Sequence, residues 1–219
     1  MTDDQSDRAL LADRQDLNTP IFVPAKPHMP PPAVAFLTEQ LTRAHCFLEY
    51  GAGGSTRLAA QLGVPHVFSV ESDRTFAAAV RRHVREEAKS TGTNARIIVS
   101  NIGETGNWGY PIDNSLVSKW PNYPIRVWHK IAMAGLAPDL VLVDGRFRVA
   151  CFLVSLLKLR PGKIIMFDDY EGRKERYDLV EKYVKPSVSH ARVAVFEVPE
   201  HLPVIDIALD LAVHVVDKR

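Results

Sequence analysis

The 219-residue sequence predicts an α/β fold, a doubly wound sheet of seven strands that is mostly parallel, with helices on both faces and an antiparallel closing strand. Five short apolar runs alternate with segments of helical periodicity, which is the pattern of a parallel sheet with crossover helices. Two further apolar runs then follow one another with only a loop between them, which indicates a closing pair of strands. A glycine-rich turn joins the first apolar run to the next helix, as in nucleotide-binding folds of this class.

Hydrophobic periodicity and turn residues assign the elements in order. Residues 20–32 hold six of the 15 prolines, a composition that excludes a helix or a central strand there. An amphipathic helix is expected next, over 33–43. The predicted strands are 46–48, 66–70, 96–100, 140–143, 163–167, 192–198 and 207–216. The predicted helices between them are 55–62, 73–90, 125–134, 147–159 and 173–184.

Composition and charge exclude several classes of function. The 27 basic and 26 acidic side chains give a net charge of +1, so no global field favours nucleic acid or a membrane surface. No apolar run approaches the roughly 18 residues of a membrane span, and the N-terminus lacks the apolar core of a signal peptide. We therefore expect a cytoplasmic protein with one domain over 34–219, preceded by a polar and proline-rich segment over 1–33.

The glycine-rich turn is the best candidate for a ligand site. Glu49 follows the first apolar run, and Gly51, Gly53 and Gly54 come directly before a Ser-Thr pair that opens the helix. Strand, glycine turn and helix present backbone N–H groups and a helix N-terminus to a nucleotide-like ligand. Thr56 occupies the position where a dinucleotide fingerprint has its third glycine, so a single nucleoside is favoured over NAD.

Polar side chains follow all five of the strands predicted to be parallel. They are Glu49, Glu71, Asn101, Asp144 and the pair Asp168 and Asp169. The carboxyl ends of parallel strands meet at one edge of the sheet, where such folds bind their ligands. Glu71 lies 22 residues after Glu49, at the end of the second predicted strand. A carboxylate there can accept hydrogen bonds from both hydroxyls of a ribose. Taken singly, each of these side chains could equally cap a helix or face solvent.

Residues 49–56, Glu-Tyr-Gly-Ala-Gly-Gly-Ser-Thr, resemble motif I of the class I S-adenosylmethionine-dependent methyltransferases. The predicted sheet also resembles their Rossmann-like fold, over roughly 34–216. The resemblance implies S-adenosylmethionine as the cofactor and methylation as the activity. It implies that the cofactor contacts are Glu49, Gly51, Gly53, Ser55, Glu71, Ser72, Asn101, Ile102 and Asp144. Asn101 stands where the family commonly has an Asp on the adenine edge.

Residues 141–145 and 163–170 are similar to the metal-dependent O-methyltransferases of the catechol and macrocin types. The similarity implies a divalent cation such as Mg²⁺ held by Asp144, Asp168 and Asp169, with Asp144 and Asp169 in the catalytic centre. The catechol type has a lysine base three residues after its first metal acid, and this chain has Phe147 there. The alternative is that Asp168 caps the strand predicted over 163–167 and that Asp169 caps, or forms a salt bridge with, the segment 173–176.

The acceptor is expected to meet an irregular, aromatic-rich insertion over 101–130. The candidate acceptor contacts are Trp108, Trp120, Arg146 and Arg148, and the acceptor itself is expected to be a small molecule or a glycan. Residues 102–109, 144–149 and 167–170 are similar to a group of bacterial methyltransferase-like proteins without an established substrate. Two alternatives stay open, a cofactor-binding protein without transferase activity and a NAD-dependent oxidoreductase, and the oligomeric state also stays open, with a homodimer as one candidate.

Overall fold

The computed structural model describes residues 21–218. Most of the polar and proline-rich segment predicted over 1–33 therefore lies outside the described residues. Seven strands form one sheet in the order β3-β2-β1-β4-β5-β7-β6. They are β1 Cys46–Tyr50, β2 His66–Glu71, β3 Asn94–Val99, β4 Leu140–Val143, β5 Ile164–Phe167, β6 Val188–His190 and β7 Val193–Glu197. Strands β1 to β5 are parallel, and β7 runs antiparallel to both β5 and β6. The predicted fold class is confirmed.

The helices lie on both faces of the sheet. They are α1 Pro31–Arg43, α2 Gly54–Gln61, α3 Arg74–Thr91, α4 Asn122–Met133, α5 Arg148–Lys158, α6 Lys174–Tyr177 and α7 Val204–His214. Successive side chains of each strand point to opposite faces of the sheet. Phe47 therefore packs with α1 on one face, while its neighbour Leu48 packs with α4 and α5 on the other. Within residues 21–218, the structure has no helix with the length and apolarity needed to cross a membrane.

The start of α3 and the irregular insertion agree with the sequence. Asp73 caps α3 by accepting hydrogen bonds from the backbone N–H groups of Thr75 and Phe76. Between β3 and α4 the chain forms only two short 3₁₀ turns, Asn107–Gly109 and Val117–Lys119. The predicted helix over 173–184 is shorter in the structure, because only α6 is α-helical and 3₁₀ turns flank it.

The predicted closing strand over 207–216 is wrong, because residues 207–214 lie in α7, and the seventh strand is β6 instead. Ile207 is fully buried and Leu211 packs against the same core, one helical turn further along. Ile205 and Leu209, on the outward side, are exposed although they are apolar. The helix therefore lacks the polar face by which a helical period is recognised.

Candidate functional site

The strand order reverses between β1 and β4, and the crevice beyond their carboxyl ends is where open α/β sheets bind ligands. The glycine turn after β1 and the loop after β4 meet there. Gly51 has a φ of +98°, and a Cβ built on it would lie 3.0 Å from the Asp144 carbonyl carbon and from the Gly145 nitrogen. A glycine is required at position 51 because the backbone is left-handed and the two loops are in contact.

The other two glycines of the turn face different surroundings. A Cβ built on Gly53 would meet no other atom of residues 21–218 within 4 Å, so this side of the turn is open to a ligand at the N-terminus of α2. A Cβ on Gly54 would lie 2.0 Å from the carbonyl oxygen of Lys26. Lys26 belongs to the proline-rich strap, which we define as residues 21–30. The space beside Gly53 is therefore available to a ligand, whereas Gly54 makes room for the strap.

Two arginines fasten the strap to the domain. Arg57 donates a hydrogen bond of 2.8 Å to the Val23 carbonyl, and Arg192 donates one of 2.5 Å to the His28 carbonyl. Val23 is buried among apolar residues of α2 and α3. The strap therefore crosses the start of α2 as a fixed segment.

Glu49 lies beneath the glycine turn and is fully buried. Its carboxyl group accepts hydrogen bonds from the hydroxyls of Ser55, Thr56 and Ser69. Burial raises the pKa of Glu49 to about 7, and the three hydroxyls oppose the rise. The predicted cofactor contacts Glu49 and Ser55 thus bind one another, an arrangement that favours support of the turn from below over direct contact with a ligand.

Glu71, at the end of β2, has one carboxylate oxygen held and the other free. Oε1 accepts hydrogen bonds from the backbone N–H groups of Ser72 at 2.6 Å and Asp73 at 2.9 Å. Among residues 21–218 no donor reaches Oε2, although the side chain is only 9% exposed. Burial raises the pKa of Glu71, and the two amides oppose this. A carboxylate fixed through one oxygen leaves the other available for a hydroxyl donor.

Of the residues predicted to contact the adenine edge or the acceptor, some are exposed in the structure and others are buried in the core. Asn101 is exposed and its Oδ1 accepts a hydrogen bond from the Gly103 backbone, whereas Ile102 is fully buried. Trp120 is 3% exposed and donates its indole N–H to the Ile102 carbonyl, so it belongs to the core and does not form an acceptor wall. Trp108 is 62% exposed, and its ring centroid lies 6.5 Å from that of His28 in the strap.

The three carboxylates predicted to hold a cation are paired with arginines. Asp168 is 1% exposed and receives two hydrogen bonds from Arg192, of 2.9 and 3.0 Å. Asp169 lies 3.2 Å from guanidinium nitrogens of both Arg148 and Arg173. Burial and the charge of Asp168 raise the pKa of Asp144 well above its usual value.

These ion pairs leave no donor set for a divalent cation. Asp144 itself lies 3.6 Å from Arg148, so each of the three acids faces a guanidinium group. In the part of the chain that the structure describes, no three His, Cys, Asp or Glu side chains are grouped so that they could hold a metal ion. The structure therefore does not support the Mg²⁺ site predicted at Asp144, Asp168 and Asp169, because arginine side chains supply the positive charge there.

Comparison with solved structures identifies the family. The chain is 34% identical to a methyltransferase-like protein (spo2022) from Silicibacter pomeroyi DSS-3, with a TM-score of 0.79, over 90% of this chain and 100% of that one. The chain belongs to this methyltransferase-like family. The predicted class I methyltransferase fold and the predicted similarity to bacterial methyltransferase-like proteins are thereby confirmed.

More distant structures share the fold of this methyltransferase-like chain. The O-methyltransferase from Bacillus cereus, solved in complex with SAH, is 15% identical with a TM-score of 0.50, over 80% of this chain and 84% of that one. Cofactor-bound Rv0187 from MTB is 16% identical with a TM-score of 0.52, over 82% and 84%. No protein-family model and no curated protein matches the chain.

Arg146 and Arg148, the two arginines predicted to contact the acceptor, differ in how many partners their guanidinium groups have in this methyltransferase-like chain. Arg148 is 3% exposed and donates to the carbonyls of Gly145 and Asp168, at 2.9 and 2.7 Å, as well as pairing with Asp169. Its guanidinium group is fully used within the chain. Arg146 is also buried, but in the described part of the chain no carbonyl or carboxylate partners its guanidinium group. The sequence reasoning missed Arg192, and no local pattern marks it as the partner of Asp168.

Proposed function

We propose that the protein is an S-adenosylmethionine-dependent methyltransferase that transfers a methyl group to an oxygen atom of a small-molecule or glycan acceptor. The observation that carries the proposal is Glu71, which is fixed through Oε1 and has Oε2 free, beside a glycine turn at the point where the strand order reverses. A carboxylate in this position suits the two hydroxyls of a ribose. The fold shared with the SAH-bound enzyme of Bacillus cereus supports the same ligand.

The turn residues fit the cofactor in size and in chemistry. The open side of Gly53 leaves room for the ligand, and the first turn of α2 offers backbone N–H groups that have no partners within the helix. Such groups suit the carboxylate of the cofactor's amino acid part. Ser72 is 8% exposed next to Glu71 and is a candidate for further contact with the nucleoside.

When bound, S-adenosylmethionine supplies an electrophilic methyl group on its sulfonium sulfur. The protein's part is to align the acceptor oxygen, to exclude water and to take up the hydroxyl proton. Asp144 follows β4 at the crevice and is 30% exposed, so it can reach a bound acceptor. Its raised pKa makes the ionised carboxylate a stronger base than an ordinary aspartate.

Asp169 and Arg148 position this base. Asp169 is predicted from the sequence to be a catalytic residue, but its carboxylate is shared by Arg148, Arg173 and Arg192. Because Arg148 pairs with both Asp144 and Asp169, the two acids are held on either side of one guanidinium group. We assign Asp144 as the general base and Asp169 as a positioning residue.

Calorimetric titration with S-adenosylhomocysteine tests the cofactor site. We expect the wild type to bind, and Glu71→Ala to bind roughly 10- to 100-fold more weakly, because hydrogen bonds to a charged group contribute about 1.5–3 kcal/mol each. Glu39→Ala, which removes an exposed carboxylate of α1, is the control and should bind like the wild type. A wild type that binds no S-adenosylhomocysteine would overturn the proposal.

Two further measurements separate the alternatives. Titration with NAD under the same conditions tests the oxidoreductase, which predicts binding of NAD in place of S-adenosylhomocysteine. Transfer of labelled methyl groups into mixed small-molecule and glycan acceptors separates an active enzyme from a protein that only binds the cofactor. We expect transfer, and we expect Asp144→Asn to abolish it while affinity for S-adenosylhomocysteine is retained.

A further inference from the structure

Arg146 is a buried cation that has no counter-ion within the described residues 21–218. The side chain is 7% exposed, and its Nε is fully buried with no hydrogen-bond partner. Among residues 21–218 no carboxylate pairs with its guanidinium group. Its guanidinium group stacks on Tyr110, whose ring centroid lies 4.0 Å from the guanidinium carbon. This stacking leaves the N–H groups at the edge of the guanidinium plane free to donate.

Arg148, two residues further along at the start of α5, is an arginine whose donors have partners within the chain. It is buried to a similar degree, but it donates to two carbonyl groups and pairs with Asp144 and Asp169. Arginine stays protonated at all ordinary pH values, and a buried charge without a partner is costly. A bound anion would give Arg146 the partner that the described residues do not supply.

Arg146 lies in the loop that follows β4, at the crevice. It follows Asp144 by two residues, and the loop that carries Tyr110 brings Gly109 against it. A Cβ built on Gly109 would lie 2.9 Å from the Ser72 hydroxyl and 4.0 Å from Cγ of Arg146. Arg146 thus follows the proposed base by two residues and shares the neighbour Gly109 with Ser72, the residue that follows Glu71.

We propose that Arg146, stacked on Tyr110, binds an oxyanion of the methyl acceptor, a carboxylate or a phosphate group. This inference rests on the proposed function, since it names the class of acceptor for the same site. The planar fork of the guanidinium group matches either oxyanion with paired hydrogen bonds. The cofactor's own carboxylate is better served by the backbone N–H groups in the first turn of α2, which have no partners within the helix. The methyl acceptor is therefore an anionic hydroxy compound.

The experiment uses nuclear magnetic resonance of the arginine Nε–Hε groups in the full chain. The probes are inorganic phosphate and acetate, added at constant ionic strength with and without saturating S-adenosylhomocysteine. We expect both probes to shift one Nε–Hε resonance saturably, and we expect Arg146→Gln to remove that resonance and its response. Arg126→Gln, on the exposed face of α4, is the matched control and should keep the response. A wild type without a saturable shift would overturn the inference.

A second measurement distinguishes the acceptor from the cofactor as the source of the anion. We expect Arg146→Gln to bind S-adenosylhomocysteine within twofold of the wild type. If it binds S-adenosylhomocysteine at least fivefold more weakly but binds 5′-methylthioadenosine, which has no carboxylate, like the wild type, then Arg146 serves the cofactor and the inference is wrong. The titration without cofactor keeps this outcome separate from a failure of the proposed function, which would show as no binding of S-adenosylhomocysteine by the wild type.

Discussion

Replacing Glu49 with glutamine should stabilise the protein relative to the wild type increasingly as the pH rises from 5 to 8. The carboxyl group is fully buried, and burial raises its pKa from the ordinary 4.5 to about 7 in the folded protein. Between these two values the folded state retains a proton that the unfolded state has released. The free energy of unfolding of the wild type therefore falls with rising pH across this window.

The size of the effect follows from the pKa difference. A shift from 4.5 to about 7 corresponds to roughly 3 kcal/mol once both states are ionised, because each pH unit is worth about 1.4 kcal/mol. At pH 5 most of this penalty is absent, since the folded carboxyl is still protonated. Glutamine keeps the shape and cannot ionise, so the stability difference between variant and wild type should grow by about 2–3 kcal/mol from pH 5 to pH 8.

Urea unfolding followed by the fluorescence of the three tryptophans measures this difference at pH 5, 6, 7 and 8. Glu39→Gln, an exposed carboxyl on α1, controls for the substitution itself. Any constant offset from the altered hydrogen bonds to Ser55, Thr56 and Ser69 cancels, because only the change with pH is used. A stability difference that stays flat or decreases with rising pH would refute the raised pKa of Glu49 in the folded protein.

Three other predictions concern the ion pairs and the strap. Arg192→Ala leaves the buried Asp168 unpaired. It should lower the free energy of unfolding by about 2–3 kcal/mol, which corresponds to a fall in melting temperature of roughly 4–12 °C. Arg43→Ala is the control, because the exposed ion pair that it removes contributes at most about 1 kcal/mol. Equal melting temperatures for the two variants would contradict this. Gly54→Ala should displace the strap, cost about 1–3 kcal/mol and speed hydrogen exchange over 21–30, because the added Cβ would lie 2.0 Å from the Lys26 carbonyl oxygen; unchanged exchange there would refute the contact. Adding MgCl₂ or EDTA should alter the affinity for S-adenosylhomocysteine less than twofold, and a clear increase with Mg²⁺ would show that the arginines yield the carboxylates to a cation.

The central sheet could be predicted because its information is local. Strands β1 and β4 are buried on both faces, so they read as unbroken apolar runs that end in polar residues. Helix α7 could not be assigned in the same way, because Ile205, Leu209 and Val213 are apolar and exposed and so hide its helical period. In that segment several apolar side chains are not buried, and burial cannot be inferred from hydrophobicity alone.

The site was predicted as far as its residues follow strand ends. The glycine turn and Glu71 lie where the pattern places them, but the state of each carboxylate depends on contacts between distant parts of the chain. Arg192 reaches Asp168 across 24 positions and the His28 carbonyl across 164. No spacing rule indicates such partners, which is why three acids at strand ends were interpreted as a metal site and are ion pairs in the structure.

The contact between the strap and Gly54 has a consequence for how related sequences should vary. Of the three glycines in the turn, Gly51 accommodates a neighbouring loop, Gly53 borders the open space, and Gly54 accommodates the chain's own Lys26. Relatives that lack a comparable proline-rich segment before α1 are thus free to carry a side chain at the position of Gly54, while those that have it are not. A glycine at this position therefore depends on the segment that precedes α1. Across the family, the glycine and the proline-rich segment should be present together or absent together.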